Sequence, residues 1–179
     1  GPGFKCQDRC TWTTHSQKAT IMAPKTQKPK AISGNQDTAQ FYTEEYFQGG
    51  QTKSNYSNYA EQSFGPLNIL AETIFRFFRP STALDVGCAV GHCSKKLREL
   101  GTEAYGYDIS DWAVNYAGVP YIKRSDFSRD EIVGQFDLVY SYDVVEHVLP
   151  ERLDFALKNL WQATRKDLLL VPAVYENGE

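Results

Sequence analysis

A turn with two glycines follows an apolar segment near the middle of the chain. The stretch LDVGCAVGHC, residues 84–93, contains Gly87 and Gly91 and leads into a basic segment with a helical pattern. Glycine lets the backbone adopt positive φ and lets a ligand approach without meeting a Cβ atom, and the N–H groups that open the following helix attract negative charge. The turn is therefore expected to bind an anionic group, either the pyrophosphate of a dinucleotide or the carboxylate of an amino-acid-like cofactor.

The spacing of the glycines favours the second of these ligands. Dinucleotide-binding turns carry the pattern G-x-G-x-x-G, whereas this turn places Ala89 between Gly87 and Gly91 and has the pattern G-x-A-x-G. The pyrophosphate interpretation, and with it a nicotinamide-dependent oxidoreductase, is disfavoured.

Acidic residues stand at the ends of two later apolar segments. Asp108 ends the segment EAYGYD, a position at which an acid accepts hydrogen bonds from a ribose diol in nucleoside-binding sheets. Asp126 and Phe127 follow the next segment and offer an acceptor to an exocyclic amine and a ring beside a purine. Each acid alone also fits a surface turn. Together with Asp85, which precedes the glycine turn, they mark three successive strand ends and predict a nucleoside-containing ligand.

These residues require a sheet whose strands end at one edge, and the sequence has the pattern for it. Strands are predicted at 82–87, 103–108, 120–126, 135–143 and 167–174, and helices at 66–78, 92–100, 110–116 and 150–161. Such alternation indicates an α/β fold with a doubly wound, mostly parallel sheet and helices on both faces. Pro120 and the charges beside it place the third strand near an edge.

An aromatic segment precedes the predicted core. Residues 38–80 are expected to form a flap and a leading helix, and the flap carries the aromatic residues Phe41, Tyr42, Tyr46, Phe47, Tyr56 and Tyr59. Aromatic side chains this dense are rarely left in solvent. They either complete the core as a small helical flap or form a lid over a ligand that stacks on their faces, and one flap can do both.

Charge is distributed unevenly along the chain. Residues 1–37 contain six basic and two acidic residues, whereas the remaining sequence contains 13 basic and 20 acidic residues. The acidic body disfavours nucleic acid and favours a small-molecule ligand, and the basic stretch is interpreted as a tag remnant followed by a flexible arm. No apolar run reaches the roughly 20 residues of a membrane span, so we expect a cytoplasmic protein without membrane contact.

The four cysteines lie in two pairs, and neither pair has C-x-x-C spacing. Cys6, Cys10 and His15 would provide three zinc ligands, but no convincing fourth ligand accompanies them, and structural zinc sites take four. Cys88 and Cys93 are interpreted as small residues that pack in a tight loop and on a helix face. No metal site is predicted.

Four stretches resemble the successive motifs of class I S-adenosylmethionine-dependent methyltransferases, particularly those that act on small molecules: LDVGCAVGHCSKKL, YGYDIS, SDF and FDLVYSYDVVEHV. The resemblance covers residues 82–174 and implies a Rossmann-like fold, S-adenosylmethionine as cofactor and S-adenosylhomocysteine as product. It implies that Asp108 holds the ribose hydroxyls and that Ile109 packs on adenine. It also implies that Asp126 and Phe127 recognise the adenine edge. The other implied contacts are Asp85, Gly87, Cys88, Ala89 and Gly91 at the methionine end, and Ser141 and Tyr142 beside the methyl group.

The chain departs from this family pattern in two places. Ala89 stands where the family usually has the middle glycine, which should narrow the turn without closing it. The family sheet also continues through two further strands, whereas residues 81–179 are expected to form a core that lacks them. Either the sequence is a fragment that is truncated at its C-terminus, or the flap, a second copy of the chain or another partner covers the edge, because an exposed strand edge pairs readily with other chains.

Methyl transfer depends mainly on alignment of the acceptor, and a base is needed only where the acceptor loses a proton. His147 is the candidate base, since histidine titrates near neutral pH; alternatively, it packs the loop through hydrogen bonds. Glu146 either orients His147 or faces solvent, Asp143 is ambiguous, and His92 is interpreted as a contact of the cofactor loop.

The substrate class is narrowed by what the sequence lacks. Neither an N/D-P-P-Y/F/W signature nor a Pro-Cys nucleophile is present, which favours an oxygen, nitrogen or carbon atom of a metabolite over a nucleic-acid base. The predicted function is S-adenosylmethionine-dependent methyl transfer to a small-molecule acceptor. The alternative is a non-catalytic cofactor-binding or assembly domain that keeps the same fold.

Overall fold

The carboxyl ends of five parallel strands meet at one edge of a central sheet. The computed structural model describes residues 10–14, 17–21, 38–49, 56–61 and 65–173. The strands are β1 (Cys10–Thr14), β2 (Gln17–Ile21), β3 (Thr82–Val86), β4 (Glu103–Asp108), β5 (Ile122–Arg124), β6 (Phe136–Tyr142) and β7 (Thr164–Val171). The helices are α1 (Glu44–Gln48), α2 (Gly65–Phe78), α3 (His92–Glu99), α4 (Asp111–Ala117) and α5 (Pro150–Gln162).

The order of the strands creates a crevice at the carboxyl end of the sheet. The sheet has the order β5-β4-β3-β6-β7, and each neighbouring pair is parallel. The chain passes from β3 to β4 on one side and later places β6 on the other side of β3. Connections diverge at such a point, which is where doubly wound sheets bind ligands. The predicted α/β fold is confirmed, and β5 lies at a sheet edge as its sequence indicated.

Apolar residues cover both faces of this sheet. On one face, Ile74 of α2 and Leu97 of α3 pack with Leu138 of β6. On the other face, Leu84 of β3 packs with Leu160 of α5. All five side chains are fully buried. Burial on two faces explains why the central strands are continuously apolar rather than alternating.

The last strand begins three residues before the predicted segment 167–174. It starts at Thr164 and includes two basic residues that the apolar pattern had excluded. Arg165 Nη1 and Lys166 Nζ each lie 3.1 Å from a carboxylate oxygen of Asp137, which is buried at the start of β6. The shared acid compensates both charges, so the polar residues extend the strand.

The flap packs on the first turns of α3 and α4. Phe47, buried in the flap, stacks on Trp112 of α4 with ring centroids 5.3 Å apart. Ring Nε2 of His92, at the start of α3, is hydrogen-bonded to the carbonyl oxygen of Tyr59 at 3.2 Å. Phe41 remains exposed. Most of the aromatic rings therefore complete a core cluster, as the first interpretation of the flap predicted.

Only part of the sequence before the flap is described. β1 and β2 pair antiparallel and form a hairpin close to β7. The rest of the predicted tag remnant and arm, including Cys6 and His15 of the zinc interpretation, lies outside the described residues. Within the described ranges, no helix is long and apolar enough to cross a bilayer, and no group of three or more His, Cys, Asp or Glu residues is placed to hold a metal ion.

Candidate active site

A cavity of about 600 Å³ lies between the carboxyl ends of the strands and the flap. Its volume is within the usual range for small-molecule sites. Ten of the twelve residues predicted to form the cofactor and catalytic site line it: Asp85, Gly87, Cys88, Ala89, Asp108, Ile109, Asp126, Phe127, Tyr142 and His147. Gly91 and Ser141 do not belong to the lining. The predicted strand ends and the glycine turn thus converge on one space.

Contacts within the protein require glycine at both positions of the glycine turn. Gly87 and Gly91 both have positive φ, at 82° and 76°. A Cβ atom on Gly87 would overlap the side chain of Val144, and one on Gly91 would overlap Ile122. Ala89 has a φ of 50°, a left-handed conformation that is uncommon for a residue with a Cβ atom. Valine and isoleucine side chains, rather than a ligand, therefore occupy the space that the glycines leave.

Asp108 connects the turn to the end of β4. Its Oδ2 accepts a hydrogen bond from the Ala89 N–H at 2.7 Å, and its Oδ1 accepts one from the Ser110 N–H at 2.8 Å. Burial raises the pKa of Asp108, and these backbone donors counteract the shift only in part. The backbone N–H of Ile109 is a third donor to this carboxylate. Because a carboxylate has about four acceptor positions, Asp108 keeps one position for a ligand hydroxyl.

Asp85 belongs to a buried polar cluster at the base of the cavity. Ser94 Oγ donates to Asp85 Oδ2 at 3.0 Å. Burial raises the pKa of Asp85 to about 7, while the hydroxyls of Tyr140 and Ser94 favour its charged form. Burial also raises the pKa of the neighbouring Cys93 thiol. Tyr140 lines the cavity but was not predicted; a phenol in the middle of an otherwise apolar strand was the signal for it.

The loop after β5 is fixed by its own hydrogen bonds. Asp126 Oδ1 accepts from the Ser128 N–H at 3.0 Å and from Ser128 Oγ at 2.6 Å. Asn159 of α5 donates to the carbonyl oxygens of Phe127 and Asp130 at 2.8 and 2.6 Å. The Asp126 carboxylate and the Phe127 ring are thus held in the cavity lining by α5 and by the loop itself.

The segment from Tyr142 to Arg152 forms one wall of the cavity, and it is called the β6–α5 wall below. His147 lies on a short 3₁₀ turn in this wall and is exposed. Burial raises the pKa of Asp143, and the nearby His147 opposes that shift. Glu146 neither orients His147 nor faces solvent, because its Oε1 accepts a hydrogen bond from the Ala173 N–H at 2.7 Å.

Three residues interpreted from the sequence as cofactor contacts lie outside the cavity lining: Gly91, His92 and Ser141. Ser141 is fully buried within β6, outside the lining, and its Oγ has no hydrogen-bond partner. His92 contacts the flap and is likewise absent from the lining. Successive side chains of a strand point to opposite faces of the sheet. Because Tyr142 points toward the cavity, the side chain of its neighbour Ser141 points away from it.

The flap also contributes to the cavity lining, where the second interpretation placed it, and a ligand stacked on its rings stays a prediction. Four of its tyrosines line the space: Tyr42, Tyr46, Tyr56 and Tyr59. Burial, with a smaller contribution from the charge of Asp108, raises the pKa of Tyr42 to about 12. Tyr42 therefore remains neutral at physiological pH, and the four tyrosines provide aromatic surface and hydroxyl groups to the cavity.

Comparison with known proteins identifies the family. A family model described as Methyltransferase domain matches residues 59–175, about two thirds of the chain. The chain belongs to this methyltransferase domain family. The match includes the glycine turn, the strand-end acids and the β6–α5 wall, but of the flap's aromatic residues it includes only Tyr59.

Individual relatives agree with this methyltransferase domain over shorter lengths. Ubiquinone biosynthesis O-methyltransferases from Shewanella halifaxensis and Shewanella pealeana are both 32% identical, over 75 and 92 residues. These matches cover 36% and 46% of the chain but only 32% and 39% of the relatives. The chain thus matches about a third to two fifths of the length of these curated proteins.

A solved structure extends the agreement in fold. Magnesium protoporphyrin IX methyltransferase from Synechocystis, with bound S-adenosylmethionine, superposes with a TM-score of 0.55 at 18% identity. The superposition covers 78% of this chain and 77% of that protein. At this identity the likeness establishes the Rossmann-like fold of the family.

Proposed function

We propose that this chain binds S-adenosylmethionine and transfers its methyl group to an oxygen, nitrogen or carbon atom of a small molecule. The observation that carries the proposal is the convergence of Asp85, Asp108 and Asp126, from three strand ends, on one cavity in a domain of this family. The name of the curated relatives supports an oxygen atom as the first acceptor to test.

The donor and acceptor groups of the cavity fit this cofactor. The free acceptor position of Asp108 suits a ribose hydroxyl, and Ile109 beside it offers an apolar surface to adenine. Asp126 and Phe127 would face the adenine edge. The buried carboxylate of Asp85 would hold the positively charged ammonium group at the methionine end, since a buried charge is stabilised by an opposite one. When bound, the cofactor supplies a methyl group on a positively charged sulfur.

His147 is proposed as the base for acceptors that must lose a proton. It lies on the β6–α5 wall, close to the Asp143 carboxylate. His147 would take the proton from an acceptor hydroxyl as the new oxygen–methyl bond forms. Acceptors that react without losing a proton would need only alignment by the wall and the flap.

Isothermal titration calorimetry tests the proposal directly. S-adenosylmethionine and S-adenosylhomocysteine should both bind, and Asp108→Asn should weaken each by about tenfold or more because a charge-assisted hydrogen bond is lost. Asp111→Asn is a matched control, since Asp111 is exposed and lies outside the cavity lining. Absence of binding at millimolar ligand would refute the proposal.

The base is tested by His147→Ala, which should lower turnover about a hundredfold and leave cofactor affinity unchanged. Unchanged turnover, with an acceptor that loses a proton, would instead leave His147 as a packing residue of the loop.

A second candidate function is a non-catalytic cofactor-binding or assembly domain. It is favoured by the five-stranded sheet of the described residues, in which β7 has a sheet neighbour on one side only. A second copy of the chain or another partner would then cover β7. Cofactor binding without turnover across a metabolite panel, together with a stable complex in solution, would support this candidate.

The cytoplasmic location and the boundaries at residues 37 and 80 stay predictions.

A further inference from the structure

Arg152 is the one lysine or arginine among the described residues that line the cavity. It lies on the first turn of α5 and is partly buried. No hydrogen bond or ion pair joins its guanidinium group to another described residue. A guanidinium group carries five donors and stays charged at any pH of interest, so Arg152 presents unused donors at the edge of a site.

The other charged groups of the cavity contrast with Arg152. Asp85 accepts a hydrogen bond from Ser94, Asp108 accepts two from backbone N–H groups, and Asp126 is bonded within its own loop. Four arginines elsewhere in the described residues have partners: Arg98 with the Ala104 carbonyl, Arg124 with Asp111, Arg129 with Asp126, and Arg165 with Asp137. Arg76, which lies over the Phe77 ring, and Arg79 are exposed and line no part of the cavity. Four carboxylates line the cavity, and none of them forms an ion pair with Arg152: Asp85, Asp108, Asp126 and Asp143.

The position of Arg152 separates it from the groups assigned to the cofactor. Arg152 belongs to the β6–α5 wall, five residues after His147, whereas the glycine turn and Asp108 follow β3 and β4. Tyr142 and His147 on the same wall border the space for the methyl acceptor in the proposed function. A molecule that contacts this wall would therefore reach the unused guanidinium donors.

We propose that Arg152 binds an anionic oxygen group, a carboxylate or a phosphate, on the methyl acceptor. This inference rests on the proposed function and narrows its substrate class to acceptors that carry an acidic group besides the methylated atom. The planar guanidinium group matches both anions through two parallel hydrogen bonds, which gives orientation as well as affinity. An acceptor held in this way would present its nucleophilic atom in a fixed direction, which is what methyl transfer requires.

The test compares an acidic acceptor with its uncharged analogue. Turnover of 3,4-dihydroxybenzoate and of its methyl ester is measured by release of S-adenosylhomocysteine, for the wild type, Arg152→Gln, Arg152→Lys and the control Lys158→Gln. Lys158 lies on the same helix, is exposed and is absent from the cavity lining. We expect Arg152→Gln to lower kcat/KM for the acid about tenfold and to change the ester little, since hydrogen bonds to charged groups have this magnitude. Arg152→Lys should keep part of the preference for the acid over the methyl ester, and Lys158→Gln should keep all of that preference.

A binding measurement decides the question without turnover. Benzoate and phenyl phosphate are titrated into protein saturated with S-adenosylhomocysteine and followed by thermal shift and by NMR. At least one anion should bind the wild type about tenfold more tightly than it binds Arg152→Gln, and the stronger of the two identifies the preferred group.

Three results would overturn the inference. One is equal binding of both anions by the wild type and Arg152→Gln, and another is a preference for the acid that survives in Arg152→Gln. The third is a loss of S-adenosylhomocysteine affinity in Arg152→Gln, which would assign the residue to the cofactor instead. Failure of the wild type to bind S-adenosylhomocysteine at all would refute the proposed function itself, and is measured first.

Discussion

Replacement of Asp85 by asparagine should stabilise the protein in the absence of cofactor, and more at pH 8 than at pH 5. Asp85 is buried, and burial raises its pKa from 3.8 to about 7. The unfolded chain therefore releases the Asp85 proton more readily than the folded protein. Below pH 3.8 this difference has no effect on stability; as pH rises from there through 7, it destabilises the fold increasingly.

The magnitude follows from the size of the shift. Roughly three pKa units at 1.36 kcal/mol each give a cost of about 4 kcal/mol above pH 7. At pH 5, where the folded carboxyl is still protonated, the same linkage gives about 1.5 kcal/mol. Asparagine carries no charge and keeps an oxygen that accepts from Ser94. The gap in unfolding free energy between Asp85→Asn and the wild type should thus be wider by about 2.5 kcal/mol at pH 8.

Urea unfolding of both proteins at pH 5 and pH 8 measures this gap. Asp137→Asn is the control, because burial is outweighed there by Lys166 and Arg165, which hold the pKa of Asp137 below its ordinary value. Asp137 is ionised in the fold at both pH values, so its replacement should destabilise by a similar amount at each. A gap for Asp85→Asn that stays constant between pH 5 and pH 8 would refute the reasoning.

The same substitution should weaken cofactor binding. The proposed partner of the cofactor ammonium group is the ionised carboxylate of Asp85, and an amide offers it no charge. If Asp85→Asn unfolds with a higher free energy but binds the cofactor more weakly, the charge of Asp85 favours cofactor binding and destabilises the folded protein. Calorimetric titration with S-adenosylhomocysteine at pH 8 provides the comparison.

Two further predictions concern the loop after β5 and the flap. Asn159→Ala should destabilise the protein by about 2–4 kcal/mol in urea unfolding, because the side chain makes three hydrogen bonds of 2.6 to 2.8 Å to the loop at 127–132; an effect no larger than that of the exposed neighbour Lys158→Ala would contradict this. Phe47→Ala should cost about 3 kcal/mol or more by the same measurement, since the ring is 4% exposed and stacks on Trp112. The exposed Phe41 is its control, and equal losses for Phe41→Ala and Phe47→Ala would show that the flap does not pack as described.

The sequence by itself determined the architecture and the location of the site. Strand and helix patterns are local, because alternation and helical periodicity depend on residues a few positions apart. These patterns predicted the parallel sheet and the helices that cover both of its faces. The turn at Gly87 and the acids Asp108 and Asp126 line one cavity because parallel strands bring their carboxyl ends to one edge of a sheet. The N-cap of α4 could also be predicted from the local sequence, because the Ser110 side chain accepts a hydrogen bond from the Ala113 N–H only three residues later.

Other features were decided by contacts between residues far apart in the sequence. The space beside Gly87 is filled by Val144, Glu146 is bonded to the chain after β7, and Tyr140 lies beside Asp85 of another strand. The unused donors of Arg152 are likewise visible only once the cavity has formed around them. A residue pattern states what a side chain can do; which charge stays unpaired, and which ring meets which carboxylate, depends on how the elements pack.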